Sequence, residues 1–318
     1  MNSQNENQQK EPFFIYRGVT KSLSAGISFL TDNFLYILKV SLPFAFVYSG
    51  LCTAISYILS DSMLLQTILG NVSEPTIPAV ILGIILVVLI FLLLLDFFLF
   101  NGLIYRLIHV YSHGIPLKRF SYASTIKAAT KYSVKGAVFF CITFMIGVLW
   151  GYIAMLPLFI NKDVNVMFFI KLGVAAFLYL AIFVFALPLT ISLPSIYLEK
   201  GGAFKNALKG YKRGLKIWGK LFFMALLLIL LVIFIMFVLS MPSIILINSY
   251  HAATLSQLSG DAVNLPSGFN IWYIVVLFIT SYLYTFTLWL SHVPYCYLYA
   301  SVRSDEKEAK NTQYNLLS

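Results

Sequence analysis

Long stretches without any charge constrain this chain more than any other feature of its sequence. Residues 136–161, 172–198 and 221–260 form runs of 26, 27 and 40 residues free of Asp, Glu, Lys and Arg. A helix needs roughly 20 residues to cross a bilayer core of about 30 Å, so each run is long enough to span a membrane. Apolar residues make up 60% of the chain and charged residues 11%, which leaves too little polar surface for a water-soluble globule. The sequence therefore predicts an all-α integral membrane protein.

Hydropathy divides the chain into a membrane domain, residues 19–303, and two polar flanks. The flanks, residues 1–18 and 304–318, are predicted to be disordered arms because they are polar and short. The six predicted spans are residues 34–58, 79–104, 137–160, 172–198, 221–247 and 271–300.

The basic residues lie almost entirely on one side of these spans. Of the 22 Lys and Arg residues, 19 fall in the N-terminal arm, in the loops after spans two and four, and in the C-terminal tail. This set, here named the basic belt, predicts that both termini are cytoplasmic. The net charge of +10 is concentrated in the belt and favours anionic lipid over nucleic acid as its partner. The belt residues predicted to contact headgroups are Lys127, Lys131, Lys205, Lys209, Lys212, Arg213 and Lys216.

An amphipathic segment precedes each odd-numbered span. Before span five, apolar residues recur at steps of four and three from Phe204 to Trp218, with lysines on a neighbouring face. Segments starting near Val19 and Tyr122 repeat this spacing before spans one and three. Such segments are typical of helices that lie in the headgroup plane, with lysines toward phosphate.

The ends of the even-numbered spans also correspond. At each end, a glycine or a proline, which weakens helical structure, lies three positions before a tyrosine. The pairs are Gly102 and Tyr105, Pro194 and Tyr197, and Pro294 and Tyr297. The pattern predicts three copies of a hairpin unit, each with an interfacial helix, a span and a returning span. The alternative is that any hairpin with basic flanks shows these features.

The stretch 194–222 carries a family resemblance. Glu199 lies just after a span and is followed by the pair Ala207 and Leu208. A basic stretch that ends with Trp218 then leads into the next span. This arrangement resembles a loose group of uncharacterised bacterial six-span inner-membrane proteins, related to the membrane domain attached to some glycerophosphodiester phosphodiesterases. The resemblance implies a six-span layout over most of the chain and a location in a bacterial inner membrane. It implies no phosphodiesterase activity, because the soluble domain that carries that activity has no counterpart here.

Asp96 is the most unusual single residue, because a carboxylate inside a span is costly and is a functional candidate by default. Three roles remain open: a structural pair with Lys39 or Asn101, coupling to protons or ions, or a neutral group facing the helix bundle. Lys39 is the preferred partner, since both residues are placed in the cytoplasmic half of adjacent spans.

Span six carries a polar face of Thr280, Tyr284, Thr287 and Ser291, with His292 beside it. This face either lines a cavity or packs helices through hydrogen bonds. The four histidines, at positions 109, 113, 251 and 292, cannot converge in the predicted topology, so we predict no metal site and no cofactor.

No catalytic grouping occurs in the sequence, so the prediction is a non-enzymatic membrane protein. It is expected to engage lipid or partner membrane proteins through the basic belt. One alternative is a transporter of small solutes or lipid that uses Asp96, and a membrane enzyme is a less favoured one.

Overall fold

The computed structural model describes residues 12–59, 77–117, 122–159, 166–258 and 265–317. All regular structure in these ranges is helical, as the uncharged runs predict. In chain order the helices are α1 (Val19–Asp32), α2 (Phe34–Leu59), α3 (Ile77–Ser112), α4 (Tyr122–Phe159), α5 (Val166–Ala186), α6 (Leu189–Leu198), α7 (Ala203–Lys216), α8 (Trp218–Leu258) and α9 (Phe269–Leu317).

Six segments are long and apolar enough to cross a membrane, which confirms the predicted spans. Five of them lie in α2, α3, α4, α8 and α9. The fourth span combines α5 and α6, which are separated at Pro188, a residue that cannot donate the backbone hydrogen bond of a continuous helix. The protein is therefore a multi-pass membrane protein.

The chain divides into two compact units. The first unit contains residues 1–33, 101–227 and 292–318, and the second contains residues 34–100 and 228–291. All the amphipathic segments predicted before the odd-numbered spans lie in the first unit, whereas Asp96 lies in the second.

The interfacial helices before spans one and five are separate helices. α1 ends at Asp32 and α7 at Lys216. The residues that follow, Asn33 and Ile217, have a backbone conformation outside the helical region, and a new helix starts after each of them. The segment before span three differs from the prediction. Residues 122–135 are helical but continue into the span as one helix, α4, because no residue interrupts its backbone hydrogen bonding.

The predicted disorder of the two flanks is wrong where the structure describes them. Phe13 is buried and its ring lies 4.8 Å from that of Tyr297, while the Arg17 amide donates a hydrogen bond to the Ser301 hydroxyl at 2.7 Å. The tail continues α9 as a helix to Leu317. Composition predicts disorder, but the contacts of Phe13 and Arg17 order the N-terminal flank. Residues 1–11 lie outside the described ranges.

Candidate functional sites: a basic helix and a buried carboxylate

The helix α7 presents three chemically different faces. At 100° per residue, four lysines fall on one face, three large apolar residues and Tyr211 on a second, and small residues on a third. The buried third face consists of Asn206, Ala207, Gly210 and Gly214.

The two other faces of α7 are open. Lys205, Lys209, Lys212 and Lys216 are all exposed. On the neighbouring apolar face, Phe204, Leu208 and Leu215 are exposed by 66%, 48% and 47%. Such exposed apolar area beside a cationic stripe is typical of a helix lying at a membrane surface.

Glycines let α7 lie directly against α6. A Cβ atom on Gly210 would lie 2.7 Å from the Ser192 Cα, and one on Gly214 would lie 2.7 Å from the Pro188 Cα. The Ser192 hydroxyl donates a hydrogen bond to the Ala207 carbonyl at 3.1 Å. No side chain larger than hydrogen fits at either glycine, so α7 is held at a fixed rotation about its own axis.

Arg213 is not a headgroup contact, contrary to the prediction. Its guanidinium forms an ion pair with Glu199 and a second with Glu306, where Nε and Oε2 are 2.9 Å apart. The Tyr299 hydroxyl donates a further hydrogen bond to Glu199 at 2.6 Å. Arg213 lies between the lysine face and the buried face of α7, so its side chain turns inward toward these carboxylates.

The environment of Glu199 favours its charged form. Burial raises the pKa of Glu199, but the hydrogen bonds from Tyr299 and Arg213 outweigh burial and hold that pKa below its ordinary value. Although burial acts to lower the pKa of Arg213, the hydrogen bond and the charge of Glu199 raise it overall. Both groups are therefore ionised. Through Tyr299 and Glu306 they link α7 to the C-terminal half of α9.

The contact between α7 and α6 has two counterparts in the first unit. α1 packs on α9, because a Cβ atom on Gly26 would lie 3.0 Å from the Pro294 Cγ. α4 packs on α3, because a Cβ atom on Gly102 would lie 2.7 Å from the Ser133 nitrogen and close to Ala129.

These three contacts follow one another in a closed cycle. The helix before span three packs on the end of span two, the helix before span five on span four, and the helix before span one on span six. Equivalent buried positions in the three helices are Ser22, Thr125 and Asn206, followed four residues later by Gly26, Ala129 and Gly210. This order supports the predicted threefold repeat.

The three tyrosines that mark the ends of the even-numbered spans are all buried. Tyr105 stacks on Tyr197 with ring centroids 4.2 Å apart, and the guanidinium of Arg17 lies 5.5 Å from the ring of Tyr297. His292 packs edge-on against Tyr105 at 5.7 Å. The tyrosines and His292 therefore form part of the packed interior of the first unit.

Lys127 and Lys131 are exposed on α4. The opposite face of the same segment buries Thr125, Ala129 and Ser133. The lysines of α4 and α7 thus occupy comparable positions, next to a buried small-residue face.

Asp96 is 6% exposed, and its Oδ2 atom has no hydrogen-bond partner. The Tyr48 hydroxyl and the Cys52 thiol of α2 interact with each other and lie close enough to Asp96 for an electrostatic interaction. Asp96 therefore faces the interior of the second unit. Asn101, the other proposed partner, is buried in the first unit.

The predicted pair between Asp96 and Lys39 is wrong. Lys39 is exposed and forms no ion pair with Asp96. The buried face of α2 runs through Ile37, Val40, Ser41 and Ala45, so residue 39 points to the other side. Lys39 also precedes Tyr48 by nine positions, which is about 14 Å along a helix, too far for its side chain to reach Asp96.

No protein-family model, curated protein or solved structure matches this chain.

Two of the four hydroxyl groups on the polar face of span six form hydrogen bonds within their own helix. Thr287 donates to the Tyr284 carbonyl at 2.7 Å, and Ser291 donates to the Leu288 carbonyl at 2.9 Å. Thr280 is buried. This geometry favours helix packing over the lining of a polar cavity.

The histidines do not assemble a metal site in the part of the chain that the structure describes. The rings of His109 and His113 are 4.5 Å apart, but the His113 Nδ1 atom is hydrogen-bonded to the His109 carbonyl at 2.8 Å. No group of three or more His, Cys, Asp or Glu side chains among the described residues is placed to hold a metal ion.

The polar cluster around Arg213 was not predicted from sequence as a unit. Glu199 had been singled out only through the family resemblance. A signal was nevertheless present, because Arg213 continues the spacing of Asn206 and Gly210 rather than that of the four lysines. A basic residue in phase with small buried residues indicates an inward ion pair.

Proposed function

We propose that this multi-pass protein is non-enzymatic, resides in a bacterial inner membrane with both termini in the cytoplasm, and binds anionic lipid headgroups through its basic belt. The observation that carries the proposal is the three-faced helix α7. Its glycine face is fixed against α6, and this leaves the lysine and apolar faces available together.

The arrangement of α7 suits a headgroup layer. The apolar face enters the boundary between headgroups and acyl chains, and the lysine face then lies at the level of the phosphates. Each lysine near an anionic surface contributes about fivefold to the affinity at moderate ionic strength. Because α7 is already folded and docked, lipid binding carries no cost for ordering the helix.

Partner membrane proteins are the second class of ligand that the belt could engage. We favour lipid because the apolar and lysine faces are adjacent along the whole of α7, as an extended surface requires. A protein partner would need a more localised patch.

Removal of the four α7 lysines is expected to abolish the preference for anionic lipid. In a variant with Lys205, Lys209, Lys212 and Lys216 changed to Gln, retention of phosphatidylglycerol relative to phosphatidylcholine should fall roughly tenfold or more. The measurement is native mass spectrometry of the purified protein after exposure to mixed micelles. High salt should weaken retention by the wild-type protein in the same direction, because it screens exposed charges.

The matched control changes Lys10, Lys21, Lys39 and Lys307 to Gln, which removes the same total charge from lysines that are not among the predicted headgroup contacts. This variant should keep most of the preference. An equal loss in both variants would show that net charge alone attracts lipid, and an unchanged α7 variant would refute the proposal.

The orientation is tested by cysteine labelling. In a variant with Cys52, Cys141 and Cys296 replaced by Ala, a single cysteine at Lys205 should react with a membrane-impermeant maleimide only in permeabilised cells. A cysteine at Ser267, exposed on the opposite side of the predicted topology, should react in intact cells. The reverse result would show that the basic belt faces outward.

A further inference from the structure

The second unit has almost no charge in its helices. Its described segments, residues 34–59, 77–100, 228–258 and 265–291, contain Asp96 as their single acidic side chain. Lys39 and His251 are the only other side chains in these segments that can carry a positive charge. Any counter-charge for Asp96 within these segments would have to come from one of these two.

Neither position suits such a pairing. Lys39 is exposed, and it lies on the opposite side of α2 from the buried stripe. His251 lies near the end of α8, seven residues before its last residue. Asp96, in contrast, is deep within α3, about 28 Å from its first residue and about 24 Å from its last.

The groups that face Asp96 are neutral. Tyr48 and Cys52 of α2 are the titratable side chains that interact with it, and neither carries a positive charge in any protonation state. The Oδ2 atom accepts no hydrogen bond, although only 6% of the residue is exposed. An ionised carboxylate here would be buried in a membrane interior without a cation among these segments and with no hydrogen bond to Oδ2, which is far costlier than burying a neutral carboxyl group.

We propose that Asp96 is a proton-binding site, held as the neutral carboxylic acid at neutral pH. The proton comes from water and occupies one carboxylate oxygen, so the second unit carries no unpaired charge. This inference concerns the second unit alone and is independent of lipid binding by the first. It also replaces the structural ion pair with Lys39 as the explanation of how a carboxyl group is tolerated at this depth.

The test is infrared spectroscopy of the full chain in lipid nanodiscs. The difference spectrum between wild type and Asp96→Asn at neutral pH should contain the carbonyl stretching band of a protonated carboxylic acid, and the band should shift in D₂O. If no such band is present, Asp96 is ionised and the proposal fails.

Two further comparisons separate the alternatives. The band should be the same in choline chloride and in sodium chloride, whereas its loss in sodium would identify a metal-cation site and overturn the proposal. A Lys39→Gln variant should have the same band intensity as wild type. If that substitution increased the band, Lys39 would be the partner of an ionised Asp96 after all.

A variant that keeps the carboxyl group guards against misfolding. Should Asp96→Asn not fold, Asp96→Glu retains a protonatable group at a slightly different position, and the band should move in frequency rather than disappear. A band that is unchanged in Asp96→Glu would belong to another carboxyl group and would contradict the assignment.

Discussion

Replacing Gly210 with Val is expected to detach α7 from α6 and to destabilise the first unit strongly. A Cβ atom at this position would lie 2.7 Å from the Ser192 Cα and 2.9 Å from the Ile191 carbonyl oxygen. Both are backbone atoms, so the strain cannot be relieved by a side-chain rotation. Overpacking of this kind costs about 1–3 kcal/mol for small additions, and a β-branched residue adds more. The measurement is thermal unfolding in detergent, with proteolysis within 203–216 as the local readout.

Gly219→Ala is the matched control for this prediction. Gly219 lies in the first turn of α8, and a Cβ atom there would meet nothing within 4 Å. Alanine should be neutral or slightly stabilising at Gly219, since it is the better helix former. A destabilisation by Gly219→Ala as large as that by Gly210→Val would show that the loss of a glycine in this region, rather than the contact with α6, is responsible.

Replacing Arg213 with Met is expected to have the second largest effect. The substitution leaves the Glu199 and Glu306 carboxylates without their cation, and the Glu199 side chain is only 9% exposed. Removing one partner of a fully buried ion pair costs about 3–5 kcal/mol. We expect a smaller loss, about 2 kcal/mol, because the side chains of Arg213 and Glu306 are 18% and 37% exposed and water screens the charges.

A rescue variant tests the cause of this loss. Adding Glu199→Gln to Arg213→Met should restore part of the stability, because it removes the carboxylate that has lost its partner. A double variant that is less stable than the wild type by the full sum of the two single effects would argue against a direct interaction.

The stability of the protein is also expected to depend on pH through Glu199. Because the pKa of Glu199 is lowered by folding, its interactions stabilise the protein above the ordinary Glu pKa of about 4.3 and are lost as the pH falls through the lowered value. The wild-type protein should therefore lose more stability between neutral and acidic pH than the Glu199→Gln variant.

Properties that depend on local composition were predictable from sequence. The six spans follow from uncharged runs, because the cost of burying charge in a bilayer acts residue by residue. The amphipathic character of α7 also follows from spacing alone. The rotation of α7 about its own axis could not be predicted from spacing, because it depends on how Gly210 and Gly214 fit against a neighbouring helix.

The errors at Asp96 and Arg213 have a common physical reason. The first prediction paired Asp96 with Lys39, and the second placed Arg213 at the headgroups. Both relied on the distance of a residue from the end of a span and ignored the direction of its side chain. Lys39 lies on the wrong face of α2 to reach Asp96, and Arg213 lies on the inward side of α7. One step along a helix rotates a side chain by 100°, so positions adjacent in sequence can have opposite environments.

The closed cycle of contacts in the first unit has a consequence for biosynthesis. Arg17 hydrogen-bonds to Ser301, a residue 284 positions later in the chain, and Gly26 of α1 packs on Pro294. During translation, α1 leaves the ribosome long before the segment that covers it, whereas α4 and α7 emerge after the helices on which they pack. The nascent protein therefore passes through a long interval in which α1 is uncovered, and truncated chains that lack the last span would present this uncovered surface to membrane chaperones and proteases.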